Sequence, residues 1–475
     1  MSHTEAGSGA AEAPAFKSVH FIGIGGAGMS GIALVLHERG FAVTGSDLKT
    51  SRYIRQLTRA GVDVRVGHAA STIDEVSPDV VVVSTAIPES NPELVRAREL
   101  GIPVWQRAHM LAELGRGKKT LACAGTHGKT TTSSMLAGAV DALGLSPTFV
   151  VGGIVDAYGT NAVSGTGPYY VVEADESDGS FLNLSPYVAL ITNVEADHLD
   201  HYAGGLAEIR QTFSRFMASV PEDGALVVCG EDPALVELAR ATGRRTVTYG
   251  FAEGCGTRVL DYRAEGLATL FALEFPDGTR VECRLEKSPG RHNALNAAGV
   301  LSVIWALGLD VERAAAGIAG YSGVRRRFDR VGEAAGVTVV DDYAHHPTEI
   351  RATLAAAAAL PFSRIVVLFQ PHRYSRTQSL APQFGTAFDD ADVVEVMDVY
   401  PAGEAPIEGV SGKLVADAIE ESGDVSEVTY HPNKDDVAAD MAARLMPGDL
   451  LITMGAGDVT TFGRKILEKL SERGA

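Results

Sequence analysis

The sequence predicts an α/β fold made of three consecutive α/β domains. Short apolar runs recur along the chain, each runs into a loop of glycines or charged residues, and a helical pattern follows each loop. With 475 residues, 45% of them hydrophobic and 21% charged, the chain exceeds what one core organises and has the composition of a globular enzyme.

Residues 1–15 are rich in Ala, Gly, Ser and Glu and lack the basic and apolar regions of a signal peptide, so they read as a disordered tail. The first domain is expected over 16–117. Val19 to Ile24 reads as a strand, a Gly-rich turn follows, a helix runs through His37, and Ala42 to Gly45 is the next strand. Val80 to Ser84 is another strand, and the polar link Gly115-Arg116-Gly117-Lys118-Lys119 closes the domain. The second domain, 118–325, starts with a strand at Thr120 to Ala124. Further strands are expected at Tyr169 to Glu173 and Val188 to Thr192, then a β-rich stretch from Ala225 to Leu285 and a helix from Asn293 to Leu307. The third, 326–475, begins in the basic knot Arg325-Arg326-Arg327. It has strands at Val337 to Asp341, Arg364 to Gln370, Asp392 to Met397 and Asp449 to Met454. The alanines 355–359 read as helix, because alanine has the highest helix propensity.

Sixty acidic against 41 basic residues give a net charge of −19, which repels a nucleic-acid backbone and leaves small anionic ligands to be held by local loops. The four cysteines, Cys123, Cys229, Cys255 and Cys283, have neither disulfide-framework nor zinc spacing. With no apolar run of membrane-spanning length, a cytoplasmic protein without membrane insertion is expected.

Each loop has its own chemistry. Gly23-Ile24-Gly25-Gly26-Ala27-Gly28 follows a strand and opens a helix through Met29 and Ser30, where backbone N–H groups can hold a pyrophosphate; Asp47 stands where an acid can meet a ribose. Taken alone, this unit fits NAD, another phosphate ligand, or glycines kept only for a tight turn. Gly125-Thr126-His127-Gly128-Lys129-Thr130-Thr131 is a shortened P-loop: Lys129 can neutralise the β- and γ-phosphates of ATP, and the Thr130 hydroxyl can ligate Mg²⁺. Cys123 stands where the usual P-loop has an extra glycine. The acidic stretches from Glu173 to Asp178 and from Asn193 to His201 end apolar strands, so their carboxylates and His198 can reach a magnesium ion; solvated acidic loops are the alternative. Asp341 to Pro347 and Gln370 to Thr377 also follow strands. Arg373 and Arg376 suit carboxylate or phosphate recognition, or surface ion pairs, while His345 and His346 can serve a substrate or simply cap and pack.

In order and spacing, G-I-G-G-A-G-M-S-G-I-A, A-G-T-H-G-K-T-T-T, E-A-D-E-S-D, N-V-E-A-D-H-L-D, G-R-H-N, G-V-R-R-R-F-D, D-D-Y-A-H-H-P-T-E-I and Q-P-H-R-Y-S-R-T resemble the Mur ligases over nearly the whole chain. The resemblance implies a Rossmann-like N-terminal domain for a UDP-sugar, a P-loop-type central ATPase and a Rossmann-like C-terminal domain for an amino acid. It implies ATP-dependent joining of L-alanine to the carboxylate of UDP-N-acetylmuramate in peptidoglycan synthesis. By the same resemblance, Gly23, Gly25, Gly26, Gly28, Met29, Ser30, Asp47, His68, Ser84 and Thr85 serve the UDP-sugar. Thr130, Glu173 and His198 bind Mg²⁺, while Gly125 to Thr131, His292, Asn293, Asn296, Arg326 and Asp342 serve ATP. Asn193, Tyr343, His345, Arg373 and Arg376 face the substrates, and Lys129, Glu173, His198, Asp342, His345 and Arg376 are the expected catalytic set. Several sister ligases carry a carbamylated lysine soon after D-H, whereas residues 197–217 contain no lysine, as in the alanine-adding branch. The recycling ligase that attaches a tripeptide is the alternative within the family, disfavoured by H-R-Y-S-R-T; an NAD-dependent dehydrogenase is the alternative outside it.

Overall fold

The computed structural model describes residues 16–197 and 201–473. The expected tail over 1–15 and His198 therefore lie outside the described residues. The chain divides into two compact units. One comprises the described residues through Leu260 with Leu273–Val281 and Leu295–Ile318, and the other comprises Asp261–Ala272, Glu282–Ala294 and the described residues from Ala319.

The first unit holds two sheets. The N-terminal one is parallel, with the order Asp63–Val66, Ala42–Asp47, Ser18–Ile22, Val80–Val83, Val104–Gln106. The inner strand Val80–Val83 is four valines, all buried, which is what a strand covered on both faces requires. The strand order reverses between Ser18–Ile22 and Val80–Val83, so a crevice opens beyond their C-terminal ends, at Gly23 and Ser84.

In the second sheet the P-loop strand Lys119–Ala124 lies between Val188–Ile191 and Tyr169–Glu173, parallel to both. Ala225–Cys229 and Thr246–Gly250 extend it on one side. Thr148–Val155 and its antiparallel partner Thr160–Val163 extend it on the other. One continuous apolar core joins the two sheets, from Phe21 and Ile32 to Val172 and Phe213. The join is close: a Cβ on Gly31, in the helix Ala27–Glu38, would stand 3.2 Å from Ala162 and Val150. Lys118, in the expected interdomain link, donates to the carbonyls of Gly165 and Gly167 at 3.0 and 2.6 Å.

The second unit carries a six-stranded sheet with the order Asp329–Ala334, Val337–Asp342, Asp449–Met454, Arg364–Phe369, Val393–Met397, Glu427–His431. It is parallel apart from the first, antiparallel edge strand, and separate apolar clusters cover its two faces.

Most expected strands stand within a residue or two of their predicted ends. The stretch from Ala225 to Leu285 is β-rich as expected, with strands Ala225–Cys229, Thr246–Gly250, Thr257–Glu265, Ala268–Glu274 and Arg280–Leu285, and it also holds the helix Pro233–Ala241. Asp232 caps it through the Ala234 N–H and Pro233 supplies its first turn, a start signal outweighed by the surrounding β-branched residues. The alanines belong to the helix Pro347–Ala358, with Ala359 as its C-cap. All four cysteines are free and buried. Among the described residues no helix is long and apolar enough to cross a membrane.

Candidate active site

At the end of Ser18–Ile22 the chain turns at Gly23, whose φ of +80° favours glycine. The N–H groups of Gly23 and Ile24 both donate to the Ser46 carbonyl, at 2.8 and 3.0 Å. Gly25 N–H donates to Asp47 Oδ2 at 2.8 Å, and a Cβ there would stand 2.8 Å from that oxygen and 2.9 Å from Ile54. Asp47, expected at a ribose, thus also holds the loop. Gly26 is the N-cap of Ala27–Glu38, so Met29 and Ser30 lie in the first turn, which has no acidic residue to oppose an anion.

A cleft of about 290 Å³ opens beside this loop. Gly23, Gly26, Gly28, Met29 and Ser84 line one part; Gly152, Glu173 and Asp175, from the second sheet, line another. Thr85 is exposed and lies outside this lining. Arg107 completes the wall, with its Nη1 3.3 Å from where a Gly28 Cβ would sit. Sequence reasoning missed Arg107, although it follows the strand Val104–Gln106 directly, and applying the strand-end rule there would have found it.

The shortened P-loop meets the same cleft through Glu173. Gly125 has φ +133°, and a Cβ on it would come within 2.1 Å of Thr192 Oγ1. Asn193 clasps the loop: its Oδ1 accepts from His127 N–H at 2.8 Å, its Nδ2 donates to the His127 carbonyl at 3.1 Å, and its own carbonyl accepts from Thr126 N–H at 3.1 Å. Gly128, at φ +81°, is the N-cap of Lys129–Ala142, which places Thr130 and Thr131 in the first turn. A Cβ on Gly128 would stand 3.0 Å from Asn296 Oδ1, so Asn296 lies against the loop.

Lys129 Nζ donates to the carbonyls of Gly125 and Thr126 at 2.7 and 3.0 Å and to Glu176 Oε1 at 3.0 Å, and it forms an ion pair with Glu176 Oε2 at 2.8 Å. Burial is the largest single influence on this ammonium and pulls it down, but Glu176, Asp175 and Glu173 together outweigh burial and hold it above its ordinary value. Glu176, which the sequence reading quoted without assigning a role, is pushed up to about 7 by burial despite Lys129. Thr130 Oγ1 donates to Glu173 Oε1 at 2.9 Å, and Gly152 N–H donates to the other carboxylate oxygen at 2.6 Å. A hydroxyl and a hard, half-buried carboxylate oxygen thus converge at the first turn of the loop helix. That donor set suits Mg²⁺.

The second unit assembles its own group of strand-end residues. Asp342 ends Val337–Asp342, and its two oxygens accept from the N–H groups of Phe328 and Ala344 at 2.7 and 2.8 Å. Burial pushes this carboxyl up to about 6, against the pull of Arg327 and those N–H groups. Arg326, at φ +66°, donates to Asp341 at 3.2 Å and to the Gly455 carbonyl at 2.5 Å, and its guanidinium lies 4.8 Å from the Tyr343 ring centre. These contacts brace the strand ends. His345 Nδ1 lies 3.0 Å from the Tyr343 carbonyl and 3.3 Å from Glu349. Both are acceptors, so Nδ1 carries the proton and Nε2 is the basic nitrogen. His346 takes the capping role: its Nδ1 accepts from Thr348 N–H at 3.3 Å in a capping box with Glu349.

Arg373, at φ +70°, is the N-cap of Tyr374–Gly385, which carries Arg376. The buried Arg376 lies 3.3 Å from His372 Nδ1, and the His372 ring packs 5.6 Å from His345 and stacks on Tyr400. Burial, with help from His345 and the arginines, drives His372 down to about 3, so it is neutral and can accept from Arg376. His292 and Asn293 begin the helix Arg291–Ala306. Burial holds His292 at about 4, and Asn293 Nδ2 donates to the Pro289 carbonyl at 2.8 Å.

Three family models cover most of the chain: "Mur ligase family, catalytic domain" over residues 18–119, "Mur ligase middle domain" over 123–304 and "Mur ligase, glutamate ligase domain" over 326–457. The chain belongs to the Mur ligase family. Within the family it is 47% identical over 457 residues to the UDP-N-acetylmuramate–L-alanine ligase of Geobacter sulfurreducens, covering 96% of this chain and 98% of that one. It is equally 47% identical to the protein of that name from Mycolicibacterium vanbaalenii, over 96% of this chain and 97% of the relative. Among solved structures it resembles the UDP-N-acetylmuramate–alanine ligase of Thermotoga maritima, with a TM-score of 0.81, 32% identity and coverage of 96% and 99%. A murein peptide ligase from Psychrobacter arcticus shares the fold at 23% identity and TM-score 0.69, covering 96% of this chain and 99% of that one.

Proposed function

We propose that this chain joins L-alanine to the carboxylate of UDP-N-acetylmuramate, consuming ATP, in the cytoplasmic stage of peptidoglycan precursor synthesis. The observation that supports it most is one cleft lined by both the Gly-rich loop and Glu173, the carboxylate paired with the P-loop threonine. A nicotinamide enzyme has no use for Lys129 and its carboxylates beside that loop. The whole-length likeness to alanine-adding relatives supports this branch over tripeptide addition. On this reading residues 16–117 take the UDP-sugar, 118–325 take ATP and 326–475 take the amino acid.

A carboxylate and an amine need a leaving group to form an amide. The muramate carboxylate attacks the γ-phosphorus of ATP, the bond from that phosphorus to the β,γ-bridging oxygen breaks, and an acyl phosphate and ADP result. The alanine amine then adds to the acyl carbon, inorganic phosphate departs, and the amine gives up a proton. Lys129 stabilises charge on the β- and γ-phosphate oxygens, while Gly125 and Gly128 let backbone N–H groups face them. Thr130, Glu173 and His198 would hold Mg²⁺, which supplies further neutralisation of phosphate charge. Arg107 and the loop at Gly23 to Gly28 orient the diphosphate. His345, through Nε2, is a base suited to the amine, with His198 the other residue to test.

Oxygen-18 in the muramate carboxylate tests the whole scheme. With ATP, Mg²⁺ and L-alanine, one label should appear in inorganic phosphate and the alanyl product should form. Amide formation with unlabelled phosphate would remove the acyl phosphate, and failure to form amide would remove the function.

A further inference from the structure

Beneath the Gly-rich loop lies a polar cluster that none of the steps above uses. Glu93 is fully buried in the first turn of the helix Pro92–Glu99, whose N-cap is Asn91. Its Oε2 accepts a short hydrogen bond from Ser46 Oγ and lies 3.2 Å from His68 Nδ1; its Oε1 accepts from Ala69 N–H at 3.4 Å. His68 Nδ1 is also 2.9 Å from Ser46 Oγ. His20, buried in Ser18–Ile22, pairs through Nδ1 with Thr44 at 2.8 Å, while its Nε2 lies 3.6 Å from Glu93 without a hydrogen bond. Burial pushes the Glu93 carboxyl up, yet its polar neighbours outweigh burial and hold it at about 2, so it is an anion at neutral pH.

Proton bookkeeping determines which His68 nitrogen is protonated. Ser46 spends its hydroxyl hydrogen on the carboxylate, so both groups facing His68 Nδ1 can only accept, and Nδ1 must carry the hydrogen. Nε2 is then a lone-pair acceptor, and among the described residues it has no hydrogen-bond partner. The location is functional. Gly67 N–H donates to the Asp47 carbonyl at 2.8 Å, next to the residue that holds Gly25, and the Ser46 carbonyl holds Gly23 and Ile24.

We propose that Glu93 is a positioning residue for the UDP-sugar: with Ser46 it fixes His68 as the tautomer whose Nε2 accepts a hydrogen bond from a donor on the nucleoside. This rests on the reading of the first domain as the UDP-sugar part. Two donors fit a lone-pair acceptor, a ribose hydroxyl and the uracil N3–H.

The test begins with nitrogen-15 histidine spectra of the full-length, unliganded protein, the His68 signals being assigned by their loss in His68→Ala. An Nδ1–H pattern is expected, and an Nε2–H pattern overturns the proposal. In steady-state kinetics, Glu93→Gln should raise KM for UDP-N-acetylmuramate about tenfold, with kcat and KM for ATP held within about twofold. In a His68→Ala background the same substitution should add nothing, whereas an equal penalty there would show a merely structural role and overturn the proposal. UDP-N-acetylmuramate analogues with 2′-deoxyribose or N3-methyluracil separate the two donors: one should lose affinity for the parent protein and not for His68→Ala. If neither does, the acceptor role fails. Should Glu93→Gln not fold, the spectrum and the analogues still decide. Alanine-dependent turnover by the parent protein keeps a failure here distinct from a failure of the proposed activity.

Discussion

Lys129 combines the chemistry and the cost of this site in one side chain. It is buried against Glu173, Asp175 and Glu176, whose summed field keeps it charged. On the proposed mechanism, Lys129→Met leaves three carboxylates without their cation and the transferring phosphate without its donor. We expect kcat to fall about a thousandfold while UDP binding persists, measured by phosphate release and by titration with UDP. His345 is tested separately. With its Nδ1 directed at two acceptors, its Nε2 is the basic nitrogen, so His345→Gln should remove the acidic limb of the kcat/KM profile against pH; an unchanged profile would exclude it as the base. At this scale the sequence was uneven. The loop glycines and the meeting of Thr130 with Glu173 were legible, because a tight turn between strand and helix tolerates few other residues. Arg107 and Glu93 were not, because each follows an ordinary-looking segment and acquires its role from residues distant in the chain. Asn193 and Arg326, expected at the substrates and at ATP, spend their hydrogen bonds on bracing the loops.

Loops and edges decide what each element does. Gly125 tolerates no side chain, since its backbone is left-handed and a Cβ would strike Thr192. Gly125→Ala should therefore raise KM for ATP at least tenfold and lower the unfolding midpoint, read by kinetics and by thermal melting. The edge strand Glu427–His431 shows how pH enters stability. His431 Nε2 lies 2.6 Å from Glu395, a carboxylate buried in Val393–Met397, and this hydrogen bond raises the imidazole above its ordinary value of 6.5 against the opposing effect of burial. Its stabilisation is complete below 6.5 and is lost as pH rises through the higher folded value. The unfolding midpoint should fall across that window, and His431→Gln should flatten the decline. A slope unaffected by the substitution would assign the dependence to other groups. Central strands such as Val80–Val83 were legible because apolar runs announce buried parallel strands. Edge strands were not: Glu427–His431 and Asp329–Ala334 alternate or mix polar residues, and only pairing with a neighbour makes them strands. The helix Pro233–Ala241 was hidden in the same way, by the β-branched residues around it.

Across the whole molecule, three sheets carry loops of glycines and charged residues at the carboxyl ends of their strands, and this was the most legible level because the strand, loop and helix rhythm repeats along the chain. The sequence did not reveal that the first two sheets share one core. The contacts that join them, such as Gly31 against Ala162 and Asn161 Nδ2 to the Ala27 carbonyl, link positions with no pattern in common. That shared core brings the Gly-rich loop and Glu173 onto one cleft, which underlies the claim that a UDP-sugar and ATP react together. The most direct measurement is phosphate release from ATP and Mg²⁺ with UDP-N-acetylmuramate, comparing L-alanine, glycine, L-serine, the tripeptide and no acceptor. The account predicts release that requires the UDP-sugar, is fastest with L-alanine, and stops on chelation of Mg²⁺. Release only with the tripeptide, or none with any acceptor, would contradict it.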